Sequence, residues 1–290
     1  MTREELLLRS ISRTARLIEI GASVSPIAPK RDGWDTRTID AGSKEELIEK
    51  YRESIPDRIS NIEDVDFVWR DGLLLDAIPD EYHGTFDAFV ASHVIEHMPD
   101  MVAFLQCAET LVKPALGTFI LAIPDKRYCF DYFRQPTMTN EVLASHKESR
   151  SRHSASTTFG FYGYTASAEG LPTWETRLPL KNFSFAHPIE YAYGKFLEHD
   201  EGAPYTDIHA WHFTPASFRL LMLELARLGL TDWRIDDLNP AGFEFHAWLS
   251  LGARDRIGGL SEEEVSAQRI SLLKQMLGDL KEQIDQLVMD

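Results

Sequence analysis

The sequence predicts an α/β fold in which a mostly parallel, seven-stranded sheet is flanked by helices. Short apolar runs rich in β-branched residues alternate with helix signals over residues 1–123, which favours a parallel sheet. A further helix and a final pair of strands follow in residues 211–254 and complete the seven. Residues 124–210 break this rhythm, so we expect an insertion there.

Composition limits the function classes. The chain has 290 residues, of which 43% are hydrophobic, enough for a sizeable core. Its net charge of −16 makes nucleic acid an unfavoured partner, because phosphate binding relies on Lys and Arg. Cys107 and Cys129 make no disulfide framework and fit a reducing compartment. No apolar leader or membrane span is evident, so we expect a cytoplasmic protein.

Capping residues and apolar runs place the elements in order. Helix starts are marked by side chains that can cap the first turn, and the predicted helices cover residues 2–12, 43–54, 100–112 and 214–229. Strands are indicated by short apolar runs that end at turn residues, and they cover 15–20, a run closing at 38–39, 66–69, 86–92, 118–123, 232–237 and 243–251. The run at 86–92 is nearly all apolar, as expected for a strand buried on both faces.

The first two strands predict a ligand crevice. Gly21 breaks the first strand, and Asp40 stands at the carboxyl end of the second. Adjacent parallel strands present these ends to one crevice, where open α/β sheets bind ligands. Gly21 would let the backbone approach the ligand, and Glu19 and Asp40 could accept hydrogen bonds from it. An ordinary βαβ unit with surface carboxylates explains the same spacing.

The connection between these strands is unusual. Pro26 and Pro29 lie where a βαβ unit places its first crossover helix, and they leave little room for one.

Four segments in chain order carry a family resemblance. They follow the first four strands, and they are Glu19-Ile-Gly21, Asp40, Asp71-Gly72, and the stretch from Phe86 to His97 with the following Met-Pro-Asp100. With them, residues 15–123 and 211–251 resemble the class I S-adenosylmethionine-dependent methyltransferases. The stretch from Phe86 is the most specific and is similar to that of small-molecule and quinone-type methyltransferases.

The resemblance implies a Rossmann-like core, over residues 1–123 and 211–254, that binds S-adenosyl-L-methionine. In the family's pattern, Asp40 would take the ribose hydroxyls and Asp71 would face the adenine amino group. The cofactor-binding residues that the resemblance implies are Glu19, Gly21, Ser23, Ser25, Asp40, Asp71, Gly72, Ser92 and His93.

The turn after the first strand departs from the family. Ser23 and Ser25 stand where the family has its second and third glycines, and a Cβ there limits how closely backbone and ligand approach. The serines can instead donate hydrogen bonds to the cofactor's carboxylate. We therefore expect a modified cofactor loop.

Histidines near the crevice are the catalytic candidates. His97 follows the fourth strand and could act as a base or fill a capping or packing role. Asp207 could orient His209 as a second base. The same segment, with His212 and the pair His199-Asp200, could be taken for a metal cluster, but no recognised ligand spacing supports it and we assign no metal.

The predicted activity is methyl transfer, to a hydroxyl of a small molecule or glycan. Residues 124–210 are rich in aromatic side chains and would form the lid and acceptor region over the cofactor. The alternative is a methyltransferase-like binding or scaffold protein without catalysis, in which the altered serine loop carries no cofactor.

Residues 261–290 form a separate amphipathic C-terminal helix. Its apolar residues follow a 3-4-3-4-3 spacing and are Ile270, Leu273, Leu277, Leu280, Ile284 and Leu287. Under three heptads are present, so a homodimeric coiled coil and a helix docked on its own domain explain the pattern about equally well.

Overall fold

A seven-stranded sheet forms the centre of the computed structural model, which describes residues 1–70, 72–168, 171–172, 174, 183–200 and 205–288. The strands of the described part are β1 (Arg16–Ile20), β2 (Asp35–Asp40), β3 (Phe67–Val68), β4 (Ala88–Ser92), β5 (Thr118–Pro124), β6 (Ala166–Ala168), β7 (Leu171–Pro172), β8 (Phe183–Phe185), β9 (Trp233–Ala241) and β10 (Glu244–Leu251). The helices are α1 (Arg3–Leu7), α2 (Lys44–Tyr51), α3 (Met101–Leu111), α4 (Thr139–Lys147), α5 (Ala155–Tyr164), α6 (Ile189–Leu197), α7 (Pro215–Arg227), α8 (Ala253–Gly258) and α9 (Glu262–Val288).

The strand order of the main sheet is β3-β2-β1-β4-β5-β10-β9. Strands β1 to β5 pair in parallel, and β10 runs antiparallel to both β5 and β9. In this register Ile20 at the end of β1 lies opposite Ile39 of β2 and Ala91 of β4. The predicted mostly parallel, seven-stranded α/β fold is confirmed, and the turns after β1, β2 and β4 open at one edge.

The core lies between the sheet and its helices. Phe89 of β4 and Phe119 of β5 meet edge to face, with ring centroids 5.1 Å apart. Phe104 of α3 packs on both rings, and Trp233 packs on Phe119 and donates its indole N–H to the carbonyl of Leu105. These strands are buried on both faces, as the unbroken apolar run of β4 predicts.

No α-helix connects β1 to β2, as Pro26 and Pro29 predict; only a short 3₁₀ turn forms, at Lys30–Asp32. The carboxylate of Glu19 organises this connection, because it accepts the backbone N–H groups of Ile27 at 2.7 Å and Ala28 at 3.0 Å.

The insertion is more regular than its sequence indicates. It contains α4, α5 and α6 and a small antiparallel sheet of order β7-β6-β8. The broken strand–helix rhythm of the sequence did not indicate these elements. Helix α5 begins at Ser154, whose hydroxyl accepts the N–H of Thr157, and it packs on α6, whereas α4 packs on α3 and α7.

The C-terminal helix α9 docks on α7 of its own domain. Val265 and Met276 of α9 are buried, and Gln283 is buried and forms hydrogen bonds to Lys126 and to the backbone carbonyl of Tyr132. The heptad-spaced Ile270, Leu277 and Ile284 face away and remain exposed, and the side chain of Leu287 lies outside the described set. Leu273 and Leu280 of the predicted coiled-coil stripe are half-buried, so only part of that stripe remains exposed. Among the described helices, none combines the length and apolar character needed to cross a bilayer.

Candidate cofactor and acceptor site

A cavity of about 580 Å³ opens at the carboxyl ends of β1, β2 and β4. This is the edge at which open α/β sheets bind ligands, and the volume suits a small molecule. Five of the residues predicted to bind cofactor line it, and they are Gly21, Ser23, Asp40, Gly72 and His93. The sheet register places three of their turns side by side, so the strands themselves build the site.

The cavity wall contains an unusual backbone. Gly21 has a φ of +70°, and a Cβ there would lie 2.8 Å from Cγ2 of Val94, so only glycine fits without a shift. Ser23 and His93 also have positive φ values, 41° and 53°. Such conformations are costly for residues with a Cβ and are concentrated at ligand-binding sites.

Asp40 is held in place by the loop that it faces. Its carboxylate accepts the backbone N–H of Ser23 at 3.1 Å and that of Ala41 at 2.8 Å. Burial raises the pKa of Asp40, and these two hydrogen bonds oppose the shift. The hydroxyl of Ser23 is buried and has no hydrogen-bond partner among the described residues, so it is available to a ligand.

Three other predicted cofactor residues do not line this cavity. Glu19 is turned into the loop after β1, where its carboxylate accepts hydrogen bonds from two backbone N–H groups. Burial raises the pKa of Glu19 to about 7, although these hydrogen bonds oppose the increase. Ser25 is exposed and lines a separate cavity of about 840 Å³ beside α1. Ser92 accepts a hydrogen bond from the Arg3 guanidinium at 2.7 Å. Asp71 lies outside the described residues.

A buried carboxylate fixes His93 at the end of β4. One oxygen of Glu244 lies 2.6 Å from Nε2 of His93, and the other lies 2.6 Å from Nε2 of His246. Arg3 donates to both oxygens, at 2.7 and 2.9 Å. These partners hold the pKa of Glu244 well below its usual range although burial favours its neutral form. The group joins α1 and β10 to the cavity wall.

The catalytic candidates form a cluster with a different pairing from the predicted one. Asp207 contacts His97, with Oδ1 2.8 Å from Nδ1, whereas Nδ1 of His209 lies 2.5 Å from a carboxylate oxygen of Asp131. The predicted orientation of His209 by Asp207 is therefore wrong. The two imidazoles are nearly perpendicular, with ring centroids 4.5 Å apart. Only His97 and Asp207 line the cavity; His209 is buried behind His97.

The His97–Asp207 contact shifts both pKa values. The contact with His97, opposed by burial, lowers the pKa of Asp207 to about 2. Burial alone would lower the pKa of His97, but Asp207 and the neighbouring Glu96 carboxylate raise it overall. Each of the two groups therefore stabilises the charged form of the other.

Comparison with known proteins finds one short match in sequence and several distant matches in structure. No family model matches the chain. A stretch of 49 residues, 17% of the chain, is 47% identical to the human mitochondrial ubiquinone biosynthesis O-methyltransferase, of which it spans only 13%. This match and the strand order agree with the resemblance that the sequence predicts. The chain thus has the Rossmann-like fold that the resemblance implies, and a short stretch of it is similar to an O-methyltransferase.

Solved structures are more distant. A methyltransferase of the S-adenosylmethionine-dependent type from Methanosarcina mazei is 12% identical over 85% of this chain and 96% of its own, with a TM-score of 0.41. A Rhodobacter sphaeroides structure, provisionally described as a zinc-dependent alcohol dehydrogenase, is 14% identical over 86% and 88%, with a TM-score of 0.46.

Sequence reasoning missed much of the wall of this cavity. Lys50 and Tyr51 come from the end of α2, and Trp69 and Arg70 follow β3. The insertion adds Ser151, Arg152 and Tyr205. Proximity to the ends of β2 and β3 could have indicated the first four, but no sequence signal marks the last three.

Proposed function

We propose that this protein transfers the methyl group of S-adenosyl-L-methionine to a hydroxyl of a small molecule or glycan. The observation that carries the proposal is the convergence of Gly21, Ser23, Asp40, Gly72 and His93 on one cavity. These residues come from four separate turns of the sheet, and each was expected there from the sequence. The 49-residue match to an O-methyltransferase supports oxygen as the acceptor atom.

The cavity residues fit this cofactor. Asp40 can accept hydrogen bonds from ribose hydroxyls, and the unpartnered hydroxyl of Ser23 can donate to the carboxylate of the methionine part. The rings of Tyr51 and Trp69 offer aromatic surface for the adenine. Asp71 would face the adenine amino group. When bound, the cofactor supplies an activated methyl group on a sulfonium.

Residues 124–210 would serve as the lid and acceptor region. Ser151, Arg152, Tyr205 and Asp207 from this region line the cavity wall. The Tyr205 hydroxyl donates to the backbone carbonyl of His97 at 3.0 Å and ties the region to the core. Its role would be to align the acceptor oxygen with the methyl group and to exclude water.

The histidine cluster would receive the proton of the acceptor hydroxyl. Asp207 and His97 stand at the wall, and His209 lies behind them. A neutral imidazole that a carboxylate holds in position can accept a proton. Replacing His209 with Ala should therefore reduce turnover and leave cofactor affinity nearly intact, because the side chain lies outside the cofactor cavity.

Two measurements test the proposal. Calorimetric titration with S-adenosylmethionine should give micromolar binding, and incubation with phenolic and sugar hydroxyl acceptors should release the demethylated cofactor. Cofactor binding without turnover on any acceptor would favour a binding or scaffold protein. Absence of heat and of a thermal shift would contradict both the activity and the cofactor.

The exposed stripe on α9 gives a proposal for self-association. Ile270, Leu277 and Ile284 recur every seven residues on the face that α7 does not cover. A two-stranded coiled coil buries two apolar positions of each heptad, and the half-buried Leu273 and Leu280 supply the second position. The partner that we propose is a second copy of this helix.

A further inference from the structure

A buried carboxylate without hydrogen bonds lies behind the cavity wall. Glu96 is 1% exposed, and neither of its carboxylate oxygens has a hydrogen-bond partner among the residues that the structure describes. Burying an ionised carboxylate is strongly unfavourable unless it is paired or coordinates a metal. A positively charged partner would offset the cost of burying the Glu96 carboxylate.

Two imidazole nitrogens face this carboxylate. Nε2 of His97 lies 3.8 Å from Oε1 of Glu96, and Nε2 of His209 lies 3.9 Å from the same atom. Both distances are too long for a hydrogen bond. One ligand atom from each of the three residues nevertheless lies within 4.8 Å of the other two. Two imidazoles and a carboxylate around one point are a ligand set that suits divalent transition metals.

The other nitrogen of each imidazole is held by a separate carboxylate. Nδ1 of His97 is 2.8 Å from Asp207, and Nδ1 of His209 is 2.5 Å from Asp131. If His209 donates its Nδ1 proton to Asp131, its Nε2 is unprotonated and is directed toward Glu96. Metal-binding histidines are characteristically oriented by such a carboxylate. Each ring thus has Nδ1 next to an Asp carboxylate and Nε2 directed toward Glu96.

We propose that Glu96, His97 and His209 bind one divalent transition metal ion, with zinc as the best-suited ion. Zinc bonds to nitrogen and oxygen are about 2.0–2.1 Å, so the side chains would close inward by roughly half an ångström. The ion would also offset the charge of three carboxylates, Glu96, Asp131 and Asp207, that surround the two rings.

The site bears on the proposed methyl transfer, and this step rests on that proposed function. Three protein ligands leave at least one coordination position for water or substrate oxygen. His97 lies in the cavity wall, so the ion would sit next to the acceptor. With the ion bound, His97 and His209 would act as ligands, and the ion would make an acceptor hydroxyl more acidic, so that its proton could pass to solvent water; this favours methyl transfer to oxygen.

Zinc binding by the full chain tests the site without cofactor or acceptor. Chelator-treated protein is titrated with zinc sulfate alone, and bound metal is counted by mass spectrometry after dialysis. We expect one equivalent. Glu96→Gln should weaken binding by at least tenfold, and Asp131→Asn by about 10–100-fold, because it removes the carboxylate that orients His209. His153→Asn is the matched control, since it removes a buried imidazole outside the cluster.

Two checks keep the result decisive. The metal-free Glu96→Gln protein should melt no lower than its parent, because the change removes an unpaired buried charge; if it does not fold, His97→Gln replaces it. Cobalt(II) should give visible absorption bands in the parent that Glu96→Gln lacks. No stoichiometric binding, or equal binding by the parent and Glu96→Gln, would overturn the site. Cofactor binding measured on the same metal-free samples would then leave the proposed function standing.

Discussion

Asp131 and His209 form a buried contact across 78 residues of chain, with a carboxylate oxygen 2.5 Å from Nδ1 of the imidazole. The other oxygen of Asp131 faces Nε2 of His212 at 3.5 Å. Burial favours the neutral form of Asp131, but the two imidazoles and Arg134 hold its pKa well below the usual range. Asp131, which the sequence did not mark, is therefore the residue that orients His209.

This contact predicts a large stability effect. Asp131→Asn should lower the free energy of unfolding by about 3 kcal/mol, because it leaves buried groups without their charged partner. Asp207→Asn removes a carboxylate whose side chain is 61% exposed, and it should cost less than about 1 kcal/mol. Urea denaturation at pH 7 compares the two. Similar losses for both variants would contradict the buried role of Asp131.

Asp40 should matter for cofactor affinity. Asp40→Ala removes the carboxylate that faces the cavity, and we expect it to weaken S-adenosylmethionine binding by about 1–3 kcal/mol in calorimetry. Asp35→Ala, at the other end of β2 and exposed, is the control and should bind as the parent does. Unchanged affinity in Asp40→Ala would remove Asp40 from the site.

Mutations can distinguish the role of the exposed face of α9 from that of its docked face. Changing Ile270, Leu277 and Ile284 to Gln should convert a dimer to a monomer in light scattering and leave the melting temperature nearly unchanged, since these residues are exposed. Met276→Ala should instead destabilise the fold by about 2 kcal/mol and keep the dimer, because Met276 is buried in the docked face. A parent protein that is monomeric at high concentration would end the dimer proposal.

His153 should make stability pH-dependent. Burial, with the nearby His97, lowers the pKa of His153 to about 4. Between pH 4 and the ordinary value near 6.5, the unfolded chain binds a proton that the folded chain does not. Stability should thus rise with pH across this window, and His153 should contribute about 2 kcal/mol of the difference between pH 5 and pH 7. His153→Asn should reduce the difference by that amount in urea titrations; an unaltered difference would contradict a neutral His153.

The sequence by itself determined the strands, their order along the chain and the residues at their ends. Apolar runs and capping side chains are local signals, and each parallel strand brings its carboxyl end to the same edge. For this reason Gly21 and Asp40 could be placed at one crevice before the fold was known, and the family resemblance added His93. The prolines after Gly21 likewise predicted a connection without a helix.

The tertiary structure alone decided which charged side chains meet. Glu19 has the right spacing for a ligand, but its carboxylate is satisfied by backbone N–H groups eight and nine residues later. His93 meets Glu244 from 151 residues away, and His209 meets Asp131 rather than the adjacent Asp207. Such pairings depend on how the insertion packs on the sheet, and residue spacing along the chain carries no record of that packing.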